Sequence, residues 1–165
     1  MIQNMEDSAG LEERIKEIAQ QEREIVFDRF TNEDAWNLGT LLVERARKIG
    51  APLIIDITRG NQCLFRYSLE GTSWNNETWV ERKSRLTRRF GKSSFRVGLE
   101  LRLQGKTLES RQGLSLSEYA DHGGAFPLSV YGVGVVGAVT VSGLPEEEDH
   151  AFVVDGIRAF LAPES

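Results

Sequence analysis

A chain of 165 residues, 40% of them hydrophobic and 27% charged, is long enough for one domain with its own apolar core. The net charge of -5 argues against generic nucleic-acid binding, and the single cysteine excludes an internal disulfide framework. No apolar run approaches the roughly 18 residues that would cross a bilayer.

Residues 1–10 read as a flexible tail and residues 11–162 as one domain, since no linker, repeat or composition shift interrupts them. The tail is polar and acidic and lacks the basic start and apolar centre of a secretory leader. A cytoplasmic protein without nucleic-acid or membrane partners is therefore expected, which suits a reducing compartment for Cys63. Leu11, Ile15 and Ile18 form one stripe of a charged helix over residues 11–23, and residues 24–27 read as a short strand. Thr31 and Asp34 resemble a capping box opening a helix to Lys48, ended by Gly50 and Pro52. Residues 53–57 form an apolar strand that Arg59-Gly60-Asn61 turns into a second one over residues 62–67. Cys63, in the apolar run Cys63-Leu64-Phe65, reads as a buried, inert thiol.

Asn75 or Asn76 can cap a helix running to Phe90. After Ser93 the pattern is two-sided. Phe95, Val97, Leu99, Leu101 and Leu103 alternate as in a strand, yet Phe95, Leu99 and Leu103 also share a helical stripe. Residues 105–120 read as loop with one helical turn. A second hairpin follows around Gly132 and Gly134, joining residues 126–131 to 133–141. Pro145 and the acids Glu146 to Asp149 then open a last helix to Leu161, with negative charge at the positive end of its dipole. The outcome is an α/β (α+β) chain with five mostly antiparallel strands flanked by helices.

Three groups of side chains can carry chemistry. The basic run Arg82, Lys83, Arg85, Arg88, Arg89 and Lys92 is mostly a solvated face. Lys83, however, shares a stripe with Trp79, Leu86 and Phe90, so it must snorkel, pair with a carboxylate or meet an anionic ligand. In Asp121-His122-Gly123-Gly124 the carboxylate can fix the imidazole tautomer while the glycine amides donate to an oxyanion. The plainer alternative is a positive-φ turn with an exposed histidine. Asp149-His150 lies in the first turn of the last helix, where His150 reads as exposed. Two histidines and Cys63 are too few donors to specify a metal site.

Several short motifs, in order, resemble the haem-degrading domain family of GlcG-like and HbpS-like proteins, closest to a cytosolic branch of it. They are Asn76, Trp79, Arg82-Lys83, Ser93-Ser94, Tyr119 to Gly124, Phe126-Pro127, Gly134 to Val139, Ser142-Gly143-Leu144-Pro145 and Asp149-His150. The likeness covers roughly residues 24–161. It implies a profilin-like layered fold, a five-stranded sheet with helices on both faces, a helix from Ser94 to Leu103, and a homo-oligomer. Taken with the side chains above, the leading expectation is a binding protein with a pocket for a small anionic ligand, haem or an organic acid, whose carboxylates lysine and arginine would neutralise. That pocket would gather Arg82, Lys83, His122, Gly123 and Gly124, with Asn76, Asp121, Asp149 and His150 as secondary candidates. A haem-degrading enzyme and an assembly or adaptor protein without a small ligand remain as alternatives.

Overall fold

In the computed structural model, residues 2–163 are described, with side chains from Asp7 onward. The expected free C-terminal end, Pro163 apart, and Met1 lie outside the described residues. Helix α1 (Ile2–Glu24) begins before the Leu11 start that the apolar stripe predicts, so the segment read as a tail continues the helix. Then come α2 (Asn32–Ile49), the hairpin β1 (Ile54–Arg59) and β2 (Gln62–Ser68), and α3 (Trp74–Phe90). The chain continues through α4 (Ser94–Leu103), the short α5 (Leu108–Gln112), the hairpin β3 (Ala125–Val130) and β4 (Gly134–Ser142), and α6 (Glu146–Leu161). The two-sided segment after Ser93 is thus helical, with the Ser93 hydroxyl accepting from the Arg96 amide.

Every strand pairing is antiparallel and the sheet order is β2-β1-β4-β3. The described sheet has four strands, not five. The segment expected as the fifth makes one bridge only: the Phe27 amide donates to Ser129 O and the Tyr131 amide to Phe27 O, both at 2.8 Å. There is no room for more, because α1 runs through Glu24 and Thr31 already caps α2.

The two faces of the sheet differ in chemistry. Ile55, Ile57, Phe126, Leu128, Val139 and Val141 pack against Leu38 and Leu42 of α2 and Val153 and Ile157 of α6, which is the main core. Strand alternation sends Asp56, Thr58, Thr140 and Ser142 to the side covered by α3, where they are buried with Lys83, Ser84 and Thr87. Helix α4 leans on α3, and α1 packs on α4 through Ile18, Phe95 and Leu99. A polar layer under α3 is what places charged side chains inside the fold.

Candidate functional site

The buried lysine comes first. Its Nζ donates to Asp149 Oδ2 at 3.0 Å, to Ser142 Oγ at 3.4 Å and to Val141 O at 3.5 Å, and Lys83 is only 3% exposed. Asp149 also accepts the Leu144 amide at 3.0 Å and the Gly143 amide at 3.4 Å, so it closes the loop between β4 and α6. Burial lowers the Lys83 ammonium and raises the Asp149 carboxyl from their ordinary values, and their mutual attraction opposes both shifts.

Beside this pair lies a cleft of about 230 Å³, walled by the first half of α3, the Asp121-His122 turn and the start of α6. Its lining includes Asn76, Trp79, Lys83, His122, Leu144 and Glu146. The His122 ring is half exposed, with Nδ1 3.5 Å from Asp121 Oδ1 and Nε2 4.0 Å from Glu146 Oε2. The hydrogen bond with His122 holds the Asp121 carboxyl below the usual carboxylate range. Arg102, in the last turn of α4, grips both oxygens of Glu146 at 2.7 and 3.0 Å. Trp79 packs edge-on against the His122 ring, with centroids 5.2 Å apart.

Arg82 supports this arrangement from behind. Its guanidinium lies 4.2 Å from the Trp79 ring centre and donates to Leu116 O at 3.1 Å and Thr78 O at 3.2 Å, outside the cleft lining. Asn76 does not cap α3. Ser73 is the N-cap, and Asn76 Oδ1 accepts its amide at 2.9 Å. The glycine pair is also explained by packing. A Cβ on Gly123 would collide with Glu146 O. One on Gly124, whose φ is 139°, would meet Val141 O and come within 2.8 Å of Lys83 Nζ. Both glycines are buried, and neither lines the cleft as an amide donor.

His150 corrects its expected exposure. It is fully buried, its Nε2–H donates to Gln21 Oε1 at 2.8 Å, and Nδ1 has no partner among the described residues. Its ring lies 5.1 Å from Phe95 and 6.1 Å from Phe126. Burial, helped by the charges of Arg14 and Arg158, pushes its pKa down to about 3. Cys63 is exposed rather than buried, because β2 is an edge strand; desolvation and nearby Asp56 raise its thiol. Trp79 was visible in the sequence as a stripe residue and a family motif position but not as a wall of the cleft, and Glu146 only as a helix-start acid. Nothing there pointed to Arg102. Among the described residues no group of three His, Cys, Asp or Glu side chains is placed to hold a metal. No described helix is long and apolar enough to cross a membrane.

Comparison with known proteins places this geometry in a family. A family model described as haem degrading protein HbpS-like matches residues 30–158. A UPF0303 protein of Streptomyces coelicolor is 51% identical over 147 residues, covering 89% of this chain and 93% of that protein. The crystal structure of the Ybr137w protein superposes with a TM-score of 0.81 at 35% identity, covering 88% of this chain and 86% of that one. The crystal structure of a PduOC:heme complex shares the fold, with a TM-score of 0.68 at 17% identity over 79% of this chain and 94% of that one. The chain belongs to the HbpS-like haem degrading protein family.

Proposed function

We propose that this chain is a binding protein for a haem-type ligand, whose iron His122 would hold. The observation that carries the reading is the half-exposed imidazole whose Nδ1 faces Asp121 at 3.5 Å. A carboxylate on that side favours the tautomer with the proton on Nδ1, which leaves the Nε2 lone pair for iron. The Trp79 ring beside His122 supplies an apolar wall for a planar macrocycle. The cleft, at about 230 Å³, lies below the roughly 300–1,000 Å³ of a complete small-molecule pocket, so it takes one edge of such a ligand. Bound haem would supply iron-centred redox chemistry. The chain itself would ligate, orient through Asp121, and hold the wall in place through Arg82.

Family membership and the haem complex of a fold neighbour support this reading. A free organic acid is the weaker alternative, because the Lys83 ammonium is already answered by Asp149 at 3.0 Å. The test is a haem titration followed by the Soret band. Saturable binding is expected, weakened about tenfold or more in His122→Ala. Equal binding by the variant would overturn the assignment. Bleaching of the Soret band with a reductant and oxygen would separate turnover from simple binding.

A further inference from the structure

The His122 ring stands between two carboxylates, one facing each nitrogen. Asp121 Oδ1 lies 3.5 Å from Nδ1, at the edge of hydrogen-bond reach, and Glu146 Oε2 lies 4.0 Å from Nε2, beyond it. A neutral imidazole carries a single ring proton, which goes to the nitrogen facing the better acceptor. The two acids therefore favour opposite tautomers. Their main chains do not decide between them. A Cβ on Gly123 would collide with Glu146 O, so the His122 turn rests directly on the first residue of α6. With the backbones in contact, rotation of the Glu146 side chain is enough to bring its carboxylate onto Nε2. The restraint on that rotation comes from α4. Arg102 Nη2 donates to Glu146 Oε1 at 2.7 Å and to Oε2 at 3.0 Å, and it makes no hydrogen bond to Asp121 among the described residues.

We propose that Arg102 is a positioning residue for the cleft: by clamping Glu146 it leaves Asp121 to fix the ring proton on Nδ1 and keeps the Nε2 lone pair of His122 free. A carboxylate held by a guanidinium is directed and partly neutralised, so it is the poorer partner for the imidazole. Asp121 keeps its full charge. The hydrogen bond with His122, helped by the Arg102 charge, holds its carboxyl below the ordinary range. Arg102 does not line the cleft, so its effect on His122 passes through Glu146. The clamp is also peripheral, with the Arg102 side chain 46% exposed and that of Glu146 24%, so it can be altered without opening the core. Without it, Glu146 is the acceptor nearest Nε2, and a proton drawn there blocks the nitrogen that would meet iron. That consequence rests on the haem reading, whereas the choice of tautomer does not.

The experiment reads the imidazole directly, by proton–nitrogen correlation NMR of the ligand-free protein at about pH 8, above the ordinary histidine range. His122 signals are assigned by their loss in His122→Ala. Wild-type protein is expected to show the proton on Nδ1. In Arg102→Met, and in Arg102→Gln as a second variant, the ring proton is expected on Nε2 in a substantial share of molecules, with a wild-type circular-dichroism melt. Glu146→Ala is expected to leave the proton on Nδ1, and adding it to Arg102→Met is expected to restore the wild-type spectrum. A wild-type ring protonated on Nε2, Arg102 variants that keep the wild-type tautomer, or a double variant that does not recover it would each overturn the proposal. A haem titration then separates the two assignments. Arg102→Met is expected to bind about tenfold more weakly than wild type, and the double variant to recover. If the tautomers shift as described and no protein binds haem, the clamp stands and the haem reading falls. Equal haem binding with one unchanged tautomer sinks the clamp and leaves the haem reading in place.

Discussion

The Lys83 ammonium and the Asp149 carboxylate lie 3.0 Å apart with side chains 4% and 1% exposed. Attraction between them is set against the loss of water by both, and burial is the larger effect on each titration. Removing one partner leaves the other charge buried and alone. Lys83→Met is accordingly expected to lower unfolding free energy by about 3–5 kcal/mol in urea titrations. The double variant Lys83→Met with Asp149→Asn should cost clearly less than the sum of the two single changes. Additive losses would mean that the pair is not coupled. Gly123 poses a different constraint at the same scale: its missing side chain lets the turn lie directly on Glu146 O and the His150 Cβ. Backbone on the far side cannot swing away, so Gly123→Ala is expected to destabilise by about 1–3 kcal/mol and shift the His122 turn. A melting temperature equal to wild type would contradict that.

The elements were legible in the sequence wherever their cause is local. Thr31 and Asp34 do form a reciprocal box: the Asp34 amide donates to Thr31 Oγ1 at 3.0 Å and the Thr31 amide to Asp34 Oδ2 at 2.7 Å. Thr31→Ala should cost about 1 kcal/mol in chemical denaturation, and Thr31→Ser nearly nothing. The hairpin turn at Gly60 follows equally local rules, with φ at 59°. What failed depended on neighbours remote in sequence. The partner of Lys83 lies 66 residues away and that of His150 lies 129 away, so neither spacing nor periodicity reports them. Alternation in the segment after Ser93 suits a strand, but Phe95 and Leu99 are drawn onto Ile18 of α1, a helical stripe facing a helix. The cap of α3 moved to Ser73 because Asn76 is better used as the residue that reaches back. The cleft was half legible: its histidine, lysine and tryptophan could be named, whereas the arginine holding Glu146 could not.

At the scale of the whole molecule, α1 closes one end of the fold over α4 and the start of α6. Its polar contacts include Gln21 with His150 at 2.8 Å, Glu22 with the Ser93 amide at 2.6 Å and Arg96 at 2.8 Å, and Arg14 with Glu147 at 3.0 Å. His150 therefore stays neutral in the folded protein down to a pKa of about 3, against 6.5 when free. Between those values the unfolded chain binds a proton that the native state refuses. Stability contributed by the neutral ring is full above the unfolded value and is lost as pH falls below it. Glu22 acts with the opposite sign, because burial raises its carboxyl and protonation there favours the folded state, as it does at Asp149. The histidine shift is the larger effect in the mildly acidic range. From about pH 7.5 to about pH 5 the loss should be about 2 kcal/mol, read as a falling urea midpoint. His150→Phe keeps a ring between Phe95 and Phe126 and removes the titrating nitrogen, so its midpoint should change much less over the same range. The same slope in both proteins would show that acid sensitivity arises elsewhere. A variant flat in pH but unable to keep α1 protected from hydrogen exchange would locate the coupling at the Gln21 contact.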